Sequence, residues 1–136
     1  MYFPNVTLVG ILAADMSLYS NDYRAGERTF QLLTQAAGRA GRGGGKGEVI
    51  IQTYSPQHYS IQMAAAQDYE GFYKEEMDYR ELMGYPPVEQ LLAVLMTGAD
   101  ESMLETAARY LKEFAQLADK DKELQIIGPA SPMWQR

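Results

Sequence analysis

The sequence predicts a mixed α/β fold built from parallel β-α-β units, and three stretches carry that reading. Val6-Thr7-Leu8-Val9-Gly10-Ile11-Leu12-Ala13-Ala14 is a continuous apolar run rich in β-branched residues, the pattern of a strand buried on both faces of a parallel sheet. Residues 24–40 place Phe30, Leu33 and Ala37 at i, i+3 and i+7, the apolar stripe of an amphipathic helix. Glu48-Val49-Ile50-Ile51-Gln52-Thr53 reads as a second short strand, and strand–helix–strand implies a right-handed crossover.

The remaining elements follow in order. Residues 16–23 are polar and turn-rich, hence a loop, with Asp22 placed to cap the helix after it. Residues 43–47 form a Gly-rich exit from that helix. Ser55-Pro56 reads as N-cap and first helical residue of a helix over Ile61, Met63 and Ala64-Ala65-Ala66. His58, the one histidine, is expected on its surface. A further helix at about 68–83 sets Tyr69, Tyr73 and Met77 at i, i+4 and i+8 beside Phe72, spacing that favours packing over base stacking. Glu75, Glu76, Asp78 and Glu81 alternate there with Lys74 and Arg80, the pattern of a solvated face with i,i+4 pairs. Gly84-Tyr85-Pro86-Pro87 ends the helix.

A second β-α-β unit is expected beyond it. Residues 91–96 read as a strand, Asp100 as an N-cap, and Leu104, Ala107, Leu111, Phe114 and Ala118 as an amphipathic stripe. Residues 124–127 read as another strand, stopped by Gly128-Pro129, leaving an open sheet edge through which the chain is expected to self-associate. Trp134 carries no motif.

Composition narrows the function. The 136 residues suffice for one ordinary domain or two small pieces, and 46% hydrophobic content suffices for a core. Net charge −6 argues against a surface that binds nucleic acid throughout. With no cysteine, disulfides and cysteine-ligated zinc are excluded. No run of about 18 apolar residues occurs, so a cytoplasmic protein without membrane contact is expected.

The charge is unevenly spread. Between residues 24 and 47 stand five basic residues (Arg24, Arg28, Arg39, Arg42, Lys46) and one acid (Glu27), a local +4 in an otherwise acidic chain. On a helix, Gln35, Arg39 and Arg42 fall at i, i+4 and i+7 and share one face, with Gly38 and Gly41 leaving it open to a ligand. Arg24, Arg28 and Gln31 extend roughly the same stripe. Guanidinium groups pair bidentately with phosphate, so the face reads either as a phosphoryl site or as a solvated helix end. A P-loop is excluded by spacing: Ala40 stands where its first glycine belongs and Gly47 where its Ser/Thr belongs. A dinucleotide G-x-G-x-x-G fails at Glu48.

Gln35-x-x-Gly38-Arg39-x-Gly41-Arg42 resembles motif VI (Q-x-x-G-R-x-G-R) of superfamily 2 helicases. With Phe3-Pro4-Asn5-Val6-Thr7-Leu8-Val9, Asp15, Tyr23-Arg24-Ala25, Gln31-Leu32-Leu33-Thr34-Gln35, Tyr85-Pro86-Pro87 and Ile127-Gly128-Pro129-Ala130, the resemblance is to the primosomal replication-restart helicases, over most of the chain. It implies a fragment of an ATP-dependent 3′–5′ DNA helicase acting in primosome assembly at stalled forks. Residues 1–56 would be the C-terminal portion of a second RecA-like lobe, 57–87 a helical connector and 88–136 part of a C-terminal α/β domain.

By the same resemblance Arg42 would be the arginine finger, Arg39 would contact phosphate or hold the interlobe geometry, and Gln35 would bond near the γ-phosphate. Gly38 and Gly41 would permit close packing. Asp15, at the end of the first strand, would be a phosphate-proximal or DNA-coupling residue of motif V; as residues alone it reads equally as a turn aspartate. ATP and magnesium would be bound mainly by an upstream lobe, and the family's zinc module would also lie upstream, with no zinc site in this chain. Implied partners are branched or single-stranded DNA, single-stranded-DNA-binding protein and primosome proteins. The chain alone is expected to be inactive. The competing reading is a non-enzymatic α/β interaction module whose basic helix binds phosphate or an acidic partner.

Overall fold

A computed structural model describes residues 6–40 and 47–131. The chain divides into two compact units, Met1–Leu91 and Leu92–Arg136. In the first, β1 (Leu8–Ile11) and β2 (Glu48–Ile51) pair in parallel, in register from Leu8 opposite Glu48 to Ile11 opposite Ile51. Parallel neighbours need a crossover rather than a tight turn. Here it is α1 (Ala25–Ala37), so the β-α-β unit forms as the sequence implies.

β1 is shorter and wetter than its apolar run suggests. Leu8 and Gly10 are exposed while Val9 and Ile11 are half-buried. The cause is that β2 is its sole neighbour among the described residues and the helices pack on one side, so two-sided burial does not develop. The chain leaves the strand at Ala13, held at φ 50° in the left-handed region. That turn directs Ala14 and Asp15 inward. It is tied to β2 by the Ala14 amide donating to the Gln52 carbonyl at 3.0 Å and the Ala13 amide donating to Gln52 Oε1 at 3.2 Å.

The core lies between α1 and two helices that follow β2: α2 (Tyr59–Ala66) and α3 (Tyr69–Met83). Phe30 and Leu33 of α1, Ile61 and Ala64 of α2, and Phe72 of α3 are its buried centre. The Phe30 and Phe72 rings stack at 4.0 Å and 10°. Burying a side chain of that size is worth about 1.5–3 kcal/mol, so this pair is a principal anchor of α3 on α1. Tyr69 and Tyr73 remain exposed.

The start of α2 corrects the sequence reading. Ser55-Pro56 lies in a turn closed by the His58 amide donating to the Ser55 carbonyl at 3.1 Å. The N-cap is His58, whose Nδ1 accepts from the Ser60 amide at 3.2 Å. An imidazole nitrogen thus does what a serine oxygen was expected to do three residues earlier. Asp68 caps α3 by accepting from the Gly71 amide at 2.8 Å. Gly84, at φ 63°, ends α3 in the conformation that glycine adopts without a Cβ penalty, and the Tyr85 amide returns to the Arg80 carbonyl at 2.8 Å.

In the second unit the sole described helix is α4 (Glu101–Ala118), capped by Asp100 accepting from the Met103 amide at 3.0 Å, as expected. The Lys112 ammonium donates to the Gly128 carbonyl at 2.6 Å, holding the segment after α4 against it. The strands expected at 91–96 and 124–127 do not form: neither segment has a ladder partner among the described residues. Apolar β-branched sequence supplies the propensity, but a strand exists only where a neighbour accepts its hydrogen bonds. Phe114 and Leu117 accordingly stay exposed on α4. The Phe3-Pro4-Asn5 stretch and Trp134 lie outside the described residues. No described helix is long and apolar enough to cross a membrane.

Candidate functional site

The helix that carries the motif ends earlier than its spacing implies. α1 stops at Ala37 and Gly38 is its C-cap, its amide bonded to the Thr34 carbonyl at 2.9 Å. The chain then tightens: the Arg39 amide bonds to the Ala36 carbonyl at 3.1 Å and the Ala40 amide to the Ala37 carbonyl at 3.0 Å. These i→i+3 bonds rotate the chain faster per residue than an α-helix does. Gln35 therefore sits on the last turn of α1, and Arg39 on the tighter turn beyond it, so the expected single α-helical face does not extend through Arg39. Gly41 and Arg42 lie outside the described residues.

What distinguishes Arg39 from the other described arginines is that it has no counter-ion among the described residues. Arg28 pairs with Asp22 at 2.9 Å and Arg24 with the same carboxylate at 3.4 Å. Arg109 pairs with Glu105, and Arg80 with Glu27 and Glu76. Arg39 alone of the described arginines forms no ion pair, and its side chain is exposed. Among the described arginines its guanidinium is thus the one whose forked donors are free to meet a phosphate. Exposed Gln35 stands one turn before it.

The upstream part of the basic stripe is quenched. Asp22 is not the N-cap of α1; that position is Arg24, with no side-chain cap. Asp22 instead accepts from the Arg24 amide at 2.9 Å, and this bond is the largest cause holding its carboxyl below the usual aspartate value. With Arg28 and Arg24 both on Asp22, and Gln31 donating to Glu27 at 3.0 Å, the stripe from 24 to 31 is occupied by its own neighbours.

Asp15 is placed elsewhere. It follows β1 and is buried, 1% exposed; its Oδ2 accepts from the Tyr54 amide and the Tyr19 hydroxyl, each at 3.3 Å. Oδ1 has no partner among the described residues. A crossover helix runs back from the ends of its strands to their beginnings, so the C-terminal turn of α1 lies at the opposite end of the β-α-β unit. Thirteen helical residues span about 20 Å. Gln35 and Arg39 thus stand on consecutive turns at the end of α1, and Asp15 is bonded at the turn after β1.

One cluster was not legible in the sequence. Glu76 and Arg80, expected on a solvated face, are buried (5% and 8% exposed). Glu76 accepts from Arg80 Nε at 2.8 Å and from the Tyr59 hydroxyl at 2.7 Å. Arg80 also reaches Glu27 of α1 at 2.8 Å and the Pro86 carbonyl at 2.9 Å. Burial opposes the arginine's charge, but the two carboxylates outweigh it and raise its pKa, while burial and Glu76 push the Tyr59 phenol up. The i,i+4 spacing of Glu76 and Arg80 was visible; their burial depends on α1 and α2 lying over them. No group of three His, Cys, Asp or Glu side chains suited to a metal ion occurs among the described residues.

Comparison with known proteins gives the chain its place. No protein-family model matches it. It is 47% identical over 132 residues to the replication restart protein PriA of Bacillus subtilis, covering 96% of this chain and 16% of that protein. To the protein of the same name from Synechocystis it is 43% identical over 127 residues, 92% of this chain and 15% of the relative. To that of Rickettsia felis it is 40% identical over 132 residues, 97% and 20% respectively. The chain therefore spans a fifth or less of the length of these relatives, and within that span it aligns almost from end to end. It belongs to the replication restart protein PriA family and corresponds to a part of it.

Proposed function

We propose that this chain is part of the second RecA-like motor lobe of an ATP-dependent DNA helicase that acts in replication restart, and that Arg39 and Arg42 supply positive charge to the γ-phosphate of ATP gripped by another lobe. The observation that carries the reading is the unpaired, exposed Arg39 at the end of the crossover helix, in a fold that gives every other described arginine a carboxylate. A guanidinium free of counter-ions fits a phosphate that accumulates charge during phosphoryl transfer. Gln35 would hydrogen-bond beside it, and Gly38 and Gly41 would let the nucleotide-bearing lobe approach. Magnesium would be held outside the described residues, and DNA and the other restart proteins would be engaged by the whole protein rather than by this segment alone.

Such groups are worth roughly 10³–10⁵ in rate in phosphoryl transfer. Placed across a cleft from the nucleotide, they tie hydrolysis to cleft closure, which is how a strand-translocating motor converts turnover into movement. The test is Arg39→Ala and Arg42→Ala in the full-length protein, with DNA-stimulated ATP turnover, ATP binding and forked-DNA binding measured together. The reading requires turnover to collapse while both binding constants stay within about threefold. Turnover that survives both substitutions, with binding of an acidic protein partner lost instead, would make the segment an interaction module. The 136-residue chain alone should not hydrolyse ATP, with or without forked DNA.

A further inference from the structure

We infer that Arg80 is a positioning residue for the motif-bearing helix: it locks α1 to α3 and to the segment after α3, and through α1 it fixes where Gln35 and Arg39 stand. This rests on the motor-lobe reading above. Four contacts converge on one guanidinium. From α3 it donates to Glu76 of its own helix, to Glu27 of α1 at 2.8 Å and to the Pro86 carbonyl at 2.9 Å, using different nitrogens for the carbonyl and the carboxylates. Its fourth neighbour is the Tyr23 ring, 5.5 Å away, in the segment leading into α1. Tyr23 in turn meets Tyr85 at 5.6 Å, so the entry to α1 and the exit from α3 also touch directly.

The arrangement is directional in a way that apolar packing is not. Phe30 against Phe72 holds α1 close to α3, but stacked rings tolerate sliding and rotation. A planar fork that must satisfy two carboxylates and a carbonyl fixes both the height of α1 along α3 and its rotation. A buried pair of this kind is weak evidence for stability and stronger evidence for a defined register. Glu76, held from the other side by Tyr59, cannot follow Arg80 if it shifts. Glu27 lies two turns of helix before Gln35, so a tilt at Glu27 is carried along α1 to the motif. Lysine cannot replace this fork: it is a point donor and would keep one carboxylate while releasing the other and Pro86.

The experiment uses the full-length protein with forked DNA. Arg80→Lys and Glu27→Gln are made in the native sequence and in Arg39→Ala, and turnover is normalised to protein that binds ATP, so unfolded molecules do not count. Glu27 is part-exposed, so Glu27→Gln is tolerated even where Arg80→Lys unfolds the lobe. Each substitution should lower kcat by between about tenfold and about a hundredfold with KM for ATP nearly unchanged. In the Arg39→Ala background each should lower kcat by clearly less than in the native sequence, because one of the groups they position is gone. Losses that multiply with Arg39→Ala, or a kcat that does not fall, would overturn the positioning role. A wild-type rate in Arg39→Ala itself would instead overturn the motor-lobe reading.

Discussion

Gly26 of α1 faces the Tyr59 hydroxyl so closely that a Cβ at Gly26 would stand 2.6 Å from that oxygen, 2.9 Å from Glu76 Oε2 and 3.1 Å from Ser60 Oγ. None of these is the loose end of an exposed side chain: Ser60 and Glu76 are buried, and the phenol is bonded to Glu76. The missing side chain at Gly26 is what lets α1 approach the Glu76–Arg80 cluster.

Gly26→Ala should therefore destabilise the fold, although alanine is the better helix former by about 1 kcal/mol. Overpacking of a fixed site costs about 1–3 kcal/mol, and here it also strains the Tyr59–Glu76 bond. Urea denaturation should show a lowered midpoint with an unchanged slope. Tyr59→Phe removes the nearest oxygen, so Gly26→Ala should cost less in a Tyr59→Phe background than in the native sequence. An equal cost in both would mean that α1 does not press on the phenol.

His58 makes the first unit sensitive to mild acid. Its Nδ1 must be bare to accept from the Ser60 amide, and burial, the largest cause, lowers its pKa from 6.5, with Glu76 opposing. In the unfolded chain the imidazole takes a proton near 6.5; in the fold it does so only at lower pH. Above that value both states are neutral and stability is flat. As pH falls below it, the unfolded state binds the proton first, so stability is lost until the folded-state pKa is passed. Melting curves between pH 7.5 and pH 5, values of about that range being the window His titrates in, should show the decline. His58→Asn keeps a capping acceptor without a titrating group and should remove the His58 share of it.

The aromatic residues of α3 divide sharply. Phe72→Ala opens a cavity against Phe30 and should cost about 3–5 kcal/mol. Tyr73→Ala, on an exposed side chain, should change stability by no more than about 0.5 kcal/mol. If Tyr73→Ala instead weakened single-stranded DNA binding by the full-length protein, the exposed ring would be a base-stacking group rather than a bystander.

These particulars show where sequence reasoning reached and where it stopped. The parallel β-α-β unit, the apolar face of α1 at Phe30 and Leu33, the Asp100 cap and the Gly84 stop were legible because each depends on local periodicity or on one residue's backbone chemistry. The paired strands at 91–96 and 124–127 were misjudged because pairing is a property of two segments. Glu76 and Arg80 were misjudged for the same reason: interleaved charge has one appearance on a wet face and on a face covered by another helix. Arg39 was recognised by type, but not by the property that sets it apart, which needs the partners of Arg24, Arg28, Arg80 and Arg109 to be known.

Asp15 tests whether position or motif governs a residue's role. Its Oδ2 joins the turn after β1 to the Tyr54 amide after β2. Asp15→Ala should leave that amide short of a partner and cost about 1–3 kcal/mol in urea denaturation. Because Asp15 is buried beside the Tyr54 amide, which it holds, rather than exposed as Arg39 is, the KM for ATP of the full-length protein should stay within about twofold. Asp15→Asn keeps an oxygen acceptor and should recover most of the stability. A KM that rises sharply in Asp15→Asn at unchanged stability would place the carboxylate at the nucleotide, and the free Oδ1 would then be the atom that meets it.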